Sequence, residues 1–256
     1  MTTRSGIVTL TTDFGSSDPY AAALEAALIK GWPAVRVVHV SHGVPPGDLT
    51  SGAYIAEYAS RSFPAGTVHL AVVDPGVGTD RPMLVIETET FVLVGPGNGI
   101  LDRSLRGQVV SQAATLAARP DVESQTFQSR DVMAPAAALA AAGAPIASLG
   151  NAAQVVAPPP ALTFDWATPA SFEVVYIDRF GTLVLDALHP GLRAAGEYSV
   201  EVAGRRANAG RTFADVAPGQ LVIYRGSIGY VEVAVRDGSA AALLGLKAGD
   251  RVSVGP

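Results

Sequence analysis

A chain of 256 residues with 48% hydrophobic composition and a mean hydropathy of +0.30 has room for one large domain or two modest ones around a substantial core, which excludes disorder over most of its length. Its net charge of −5, from 18 Lys and Arg against 23 Asp and Glu, argues against a life on nucleic-acid backbones and directs attention to small molecules or protein partners. The absence of cysteine rules out disulfides, thiolate zinc sites and cysteine nucleophiles, and the start "MTTRSGIVTLTTDFG" lacks the apolar core of a signal peptide, so a cytoplasmic protein is expected.

The run "GIVTLTTDFG" (6–15) reads as a strand stopping at Asp13. "DPYAAALEAALIKG" (18–31) follows as a helix, with Asp18 as N-cap, Pro19 at the first helical position and Gly31 as terminator. The pattern returns as strand "VRVVHVS" (35–41), turn "GVPPGD" (43–48), helix "LTSGAYIAEYASRSF" (49–63) and strand "GTVHLAVVD" (66–74). Alternation of this kind predicts a mostly parallel α/β sheet. "PMLVIETETFVLVGPGNGIL" (82–101) reads as two more strands with a turn, and the Ala-rich stretch near 132–143 as a buried helix, too broken by Pro and Gly for a membrane span. Texture changes at "AQVVAPPPALTFDW" (153–166), where three consecutive prolines make a stiff connector. The expected organisation is α/β: an α/β domain over 1–155, a Pro-rich linker over 156–168 and an antiparallel β-barrel domain over 169–256, built from short β-rich runs between Gly turns.

Ligands of open α/β sheets gather beyond the carboxyl ends of the strands, where Asp13, the loop 43–48 and Asp74 would share a rim. In "VVDPGVGTDR" (72–81), glycines 76 and 78 allow a turn that returns Arg81 toward Asp74. The pair is either a structural ion pair or a device that polarises water or another nucleophile. Asp13 and Asp18 either cap a loop and a helix or grip ligand hydroxyls and an ammonium. His39, His42, His69 and His189 show no metal spacing and read as core or rim histidines. "GPGNG" (95–99) lacks a following GK[ST] and reads as a plain turn.

Seven ordered blocks, "TTDFGSSDPY", "VSHGVPPGD", "FPAGTVHLAVVDPGVGTDR", "VGPGNGIL", "TFQSRDVMAPAAA", "YIDRFGT" and "GSIGYVEVAV…GSAAALLGLKAGD", resemble the S-adenosyl-L-methionine hydroxide adenosyltransferases, relatives of the fluorinase and chlorinase. The resemblance implies a homotrimer that hydrolyses S-adenosyl-L-methionine to adenosine and methionine, with active sites between the N-terminal domain of one subunit and the C-terminal domain of its neighbour. It implies no metal, no cofactor, and neither nucleic-acid nor membrane partners. Carried over residue by residue, Asp13 binds the ribose hydroxyls, Asp18 and Asp178 the methionine ammonium, and Ser227 its carboxylate. Phe180 and Phe213 wall the adenine, backbone groups near Ala240 read its edge, and Phe127 and Ser129 join the substrate site. Asp74 and Arg81 belong to an Asp, Arg, His set that orients the attacking water.

The chain departs from that pattern in four places. Gln128 in "FQSRD" stands where the family has histidine, and glutamine can hold water but not take its proton. Slow turnover rising with pH is expected. Ser129 matches the halide-binding serine of the fluorinase, which implies a chlorinase-like alternative, while the carboxylate of Asp74, where halogenases carry an aromatic ring, opposes an anion. A non-catalytic ligand-binding protein is the other alternative. Gly97 replaces the acid of "GPDNG", and Thr182 the Asn of "DxFGN".

Overall fold

Apolar runs alternating with amphipathic segments build the first of two units, Met1–Pro159; the second is Pro160–Pro256. The computed structural model describes residues 3–117, 124–191 and 198–256.

In the first unit the elements follow as β1 (Ile7–Thr12), α1 (Tyr20–Gly31), β2 (Arg36–Ser41), α2 (Leu49–Ser62), β3 (Val68–Val72), β4 (Met83–Thr88), β5 (Val92–Pro96), α3 (Asp102–Leu105), β6 (Val110–Thr115), α4 (Ala134–Ala141) and β7 (Asn151–Ala152). The strands form one sheet of order β2-β1-β3-β5-β4-β6-β7. The four from β2 to β5 run parallel, and β4, β6 and β7 add antiparallel pairings. Every residue of β3 and β5 is buried, as expected of central strands covered on both faces. Side chains alternate between those faces. Val68, Leu70 and Val72 meet Leu24 and Leu28 of α1 and the alanines of α4, while Ala71 and Val73 meet Ala53 and Ala56 of α2. Small residues permit close helix packing: a Cβ on Gly31 would lie 2.8 Å from Cβ of Ala138.

Helix α1 corrects one expectation. It begins at Tyr20, Pro19 occupies the cap position without a side-chain cap, and Asp18 is exposed. The Pro19 carbonyl accepts the first bond of the helix, from Ala23 N at 2.9 Å, which puts Pro19 and not Asp18 at the cap position. Helix α2 does use an acidic cap, Asp48, whose carboxylate accepts from Ser51 N at 3.0 Å. Two buried acids tie the layers together. Glu57 accepts from Arg61 at 2.6 Å and from Arg103 of α3 at 3.2 Å, and Glu87 of β4 accepts from Arg4 at 2.5 Å.

The second unit contains β8 (Ala170–Ile177), β9 (Leu183–Leu188), β10 (Ser199–Val202), β11 (Arg205–Ala209), β12 (Leu221–Arg225), β13 (Tyr230–Val235), the short helix α5 (Ala240–Leu244) and β14 (Arg251–Gly255). The strands close into a barrel of order β10-β11-β12-β13-β9-β8-β14. Pairing is antiparallel except between β11 and β12, which are parallel. Of the stretch 156–168 expected as linker, Phe164 and Trp166 are buried in the barrel core. Among the described residues, no helix is long and apolar enough to cross a membrane.

Candidate active site

Strands β1 and β3 are parallel neighbours paired at Thr12 and Val72, so the chain leaves both at the same end of the sheet, with Asp13 following one and Asp74 the other. Beyond Val73 the backbone folds on itself: Val77 N donates to Asp74 O at 3.2 Å, Thr79 N to Gly76 O at 3.1 Å, and Thr79 Oγ1 to the same carbonyl at 2.7 Å. Gly78 has φ +85°, a left-handed conformation that disfavours other residues. At Gly76 a Cβ would lie in ordinary contact with Arg81 Cδ at 3.6 Å and Asp74 Oδ1 at 3.8 Å, so space there does not demand glycine.

The turn delivers Arg81 to Asp74 in a two-point ion pair. Nε donates to Asp74 Oδ1 at 2.6 Å and Nη2 to Oδ2, with both side chains only 8% exposed. Arg81 Nη2 also donates to Gln128 Oε1 at 2.7 Å. Gln128 comes from a distant part of the sequence, at the start of a single π-helical turn, Ser129–Met133, that leads into α4. Such wide turns are rare and re-aim the side chains at their ends. The two side-chain groups of Gln128 are thereby divided: its carbonyl is taken by Arg81, and its amide N–H groups remain for another partner.

Asp74 and Gln128, both held by Arg81, line a cavity of about 700 Å³, within the range of small-molecule sites. Asp13, Phe14, Tyr20, Gly47, Asp74, Val77, Phe127, Gln128 and Ser129 face it, all from the first unit. Phe14, Tyr20 and Phe127 form an edge-to-face cluster with centroids 5.6–6.1 Å apart, giving the cavity an apolar wall opposite in character to the ion pair. Asp13 accepts from Gly47 N at 2.9 Å through Oδ2, so one carboxylate oxygen ties down the loop after β2. Asp18 does not line this cavity.

The remaining expected residues lie in the barrel unit. Asp178 is partly buried and accepts from Phe180 N at 2.9 Å and Thr182 N at 2.8 Å through one oxygen, shaping the turn between β8 and β9. Phe180 is 78% exposed and Phe213 48% exposed, unusual for such apolar rings, and Phe213 stands edge-on to Tyr224 at 5.3 Å. Ser227 is exposed, whereas Ala240 is buried at the first turn of α5, where the next amide, Ala241 N, is already taken by Gly181 O at 3.0 Å. Thr182 is buried, and Tyr224 Oη donates to Glu232 at 2.7 Å. Burial first, then the Tyr224 hydrogen bond in opposition and the charge of Asp178, leave Glu232 raised above the usual carboxylate range.

Reasoning from the sequence missed Phe14, Tyr20 and Asn98. The two aromatics stand inside the quoted block "TTDFGSSDPY", where only the acids drew attention. Asn98 belongs to a stretch whose sequence reads as a plain turn, yet its Nδ2 donates to Val73 O at 2.9 Å, bracing the backbone next to Asp74. Gly97 sits against Pro82, whose Cγ would be 2.7 Å from a Cβ, so the acid common at this place in the resembling family has no room here.

Comparison with known proteins bears on both units. The family model for the SAM hydroxide adenosyltransferase N-terminal domain matches residues 8–150, and that for the C-terminal domain matches residues 172–253. A Salinispora tropica protein named (R)-S-adenosyl-L-methionine hydrolase is 41% identical over 96% of this chain and 97% of its own. A fluorinase of Actinopolyspora mzabensis is 26% identical over 97% and 96%. A crystal structure of a conserved protein from Thermotoga maritima superposes with a TM-score of 0.84 at 26% identity, covering 98% of this chain and all of that one.

Proposed function

The chain belongs to the S-adenosyl-L-methionine hydroxide adenosyltransferase family, and from that premise we propose that it hydrolyses S-adenosyl-L-methionine to adenosine and L-methionine. The observation that supports this reading best is the pairing of Asp74 and Gln128, both held by Arg81, in the wall of a nucleoside-sized cavity. Hydrolase relatives near 41% identity, against 26% for the fluorinase, favour water over halide as the nucleophile. The relatives' name carries the (R) descriptor, and the same sulfonium epimer is the proposed substrate.

In this mechanism a water oxygen forms a bond to the ribose C5′ as the C5′–S bond breaks. The bonding pair goes to sulfur, converting the sulfonium into the neutral thioether of methionine. The leaving group needs no protonation, so the protein's task is to align the nucleophile and keep competing water away. Gln128 donates an amide N–H to the water oxygen while Asp74 accepts one of the water's hydrogens. Arg81 fixes both partners through its two donating nitrogens, and the proton passes by way of Asp74 to solvent. Because glutamine cannot serve as base, water activation falls on Asp74 or on direct capture of hydroxide, and through the second route turnover is slow and rises with pH.

The same proposal covers the substrate contacts. Asp13 binds the ribose hydroxyls. Asp18, Asp178 and Ser227 bind the amino-acid end, while Phe127, Phe180 and Phe213, with backbone near Ala240, hold the adenosyl part. Ser129 flanks the nucleophile. It also covers homotrimeric assembly, a cytoplasmic location and independence from metal or cofactor.

The test is incubation with each S-adenosyl-L-methionine epimer in oxygen-18 water, with and without high chloride, followed by mass spectrometry of the nucleoside. Adenosine labelled at the 5′ oxygen supports the reading. A 5′-haloadenosine overturns it in favour of a halide-using enzyme, and tight binding without product makes this a ligand-binding protein.

A further inference from the structure

A hydrogen-bonded chain of side chains runs behind the cavity. Phe14 N donates to Thr12 Oγ1 at 3.1 Å, Thr12 Oγ1 meets His42 Nδ1 at 2.8 Å, and His42 Nε2 meets His39 Nδ1 at 2.7 Å. His39 Nε2 reaches Glu25 Oε2 of α1 at 3.2 Å. The His42 backbone takes part as well, its carbonyl accepting from Gly15 N at 2.7 Å. The segment clasped from both sides, Asp13 and Phe14, lines the cavity.

The chemistry of the groups sets the direction of every bond. A carboxylate only accepts, so His39 carries its proton on Nε2 and, when neutral, accepts at Nδ1. His42 must then carry its proton on Nε2 and accept at Nδ1. That obliges Thr12 to donate its hydroxyl proton to His42, leaving its oxygen lone pairs for Phe14 N–H. Burial, and then the neighbouring His39, hold His42 below the ordinary histidine range, in keeping with a neutral ring. A proton added to the exposed ring of His39 reverses the sequence. His39 Nδ1 becomes a donor, His42 must accept at Nε2 and move its own proton to Nδ1, and the hydroxyl proton of the fully buried Thr12 loses its acceptor. Glu25 and Thr12 are the groups that meet the pair from the packed elements α1 and β1; the nearby carboxylate of Asp13 is engaged by Gly47 N.

We propose that His42, kept in one tautomer by His39 and Glu25, is a positioning residue that fixes the Asp13–Phe14 segment for ligand binding through Thr12. The inference rests on the reading of the cavity as the substrate site. It touches affinity and leaves the water-activating set alone.

Steady-state kinetics with S-adenosyl-L-methionine and imidazole 15N shifts of the ligand-free protein test it together. His42→Ala and the shape-conserving Thr12→Val each raise KM about tenfold with kcat within about twofold, the loss of one buried hydrogen bond. Wild-type KM rises on acidification, and in His39→Gln that rise moves to lower pH, because an amide keeps its donor toward Glu25 and its acceptor toward His42. The shifts show His42 unprotonated at Nδ1 in mild alkali and protonated there on acidification. Unchanged KM in both His42→Ala and Thr12→Val, equal falls in kcat, or a protonated Nδ1 in alkali overturns the proposal. If the wild-type protein turns over nothing, the proposed function fails, and the imidazole shifts still decide the tautomer by themselves.

Discussion

Replacing His69 by leucine should flatten the acid side of the stability profile. The imidazole lies inside the first unit, with Nδ1 2.7 Å from Thr9 Oγ1 and rings of Phe63 and Phe91 edge-on at 6.2 and 5.5 Å. Its Nε2 has no hydrogen-bond partner among the described residues, so a second ring proton would be unmatched. Burial accordingly pushes His69 down to about 3. The folded value lies below the unfolded one, so the unfolded chain takes up the proton first. This cost to the fold is absent above the ordinary histidine range, grows as pH falls below about 6.5, and levels off near 3. At about pH 5 it amounts to about 2 kcal/mol. Urea unfolding at about pH 7.5 and pH 5, read by Trp32 fluorescence in a Trp166→Phe background, isolates the first unit. The wild-type chain should lose about 2 kcal/mol more than His69→Leu between those conditions. Equal losses would mean that His69 is protonated in the fold or that the unit opens before it titrates, and would refute the reasoning.

Gln128→His restores a group able to accept the water's proton, so adenosine release should quicken by about 10² and its rise with pH should flatten; an unchanged rate would place proton acceptance wholly on Asp74. Glu57→Ala leaves Arg103 deep between α2 and α3 without its acid, and urea titration should show a loss of about 3–5 kcal/mol. Gly97→Asp, which restores the family's acid, drives a Cβ to 2.7 Å from Pro82 Cγ and 3.1 Å from Leu84 Cδ1. It should cost about 1–3 kcal/mol by the same titration, and a neutral result would show that the Pro82 turn yields readily.

Much of the architecture was legible in order of appearance. The runs at 6–15 and 66–74 are apolar because they are central strands with two covered faces, and burial of that kind writes itself into composition, while 35–41 shows its strand through its β-branched residues although it lies half-exposed at the sheet edge. The same held for the Asp74 and Arg81 turn, because seven residues with two glycines constrain their own ends and Gly78 demands its left-handed conformation locally. Local pattern misled at Asp18, where an acid before proline looked like a cap although the helix starts one residue later, with Pro19 itself at the cap position. The folded chain alone decided what local sequence does not encode. Gln128 meets Arg81 across 47 positions because a π-helical turn aims it there. Phe14, Tyr20 and Phe127 become one wall only when the loops after β1 and before α4 converge. Phe164 and Trp166 leave the stiff proline stretch for the barrel core because large aromatic side chains gain more from burial than a connector gains from freedom. Such contacts depend on the distance between segments in space, and a one-dimensional pattern records only the order in which those segments were made.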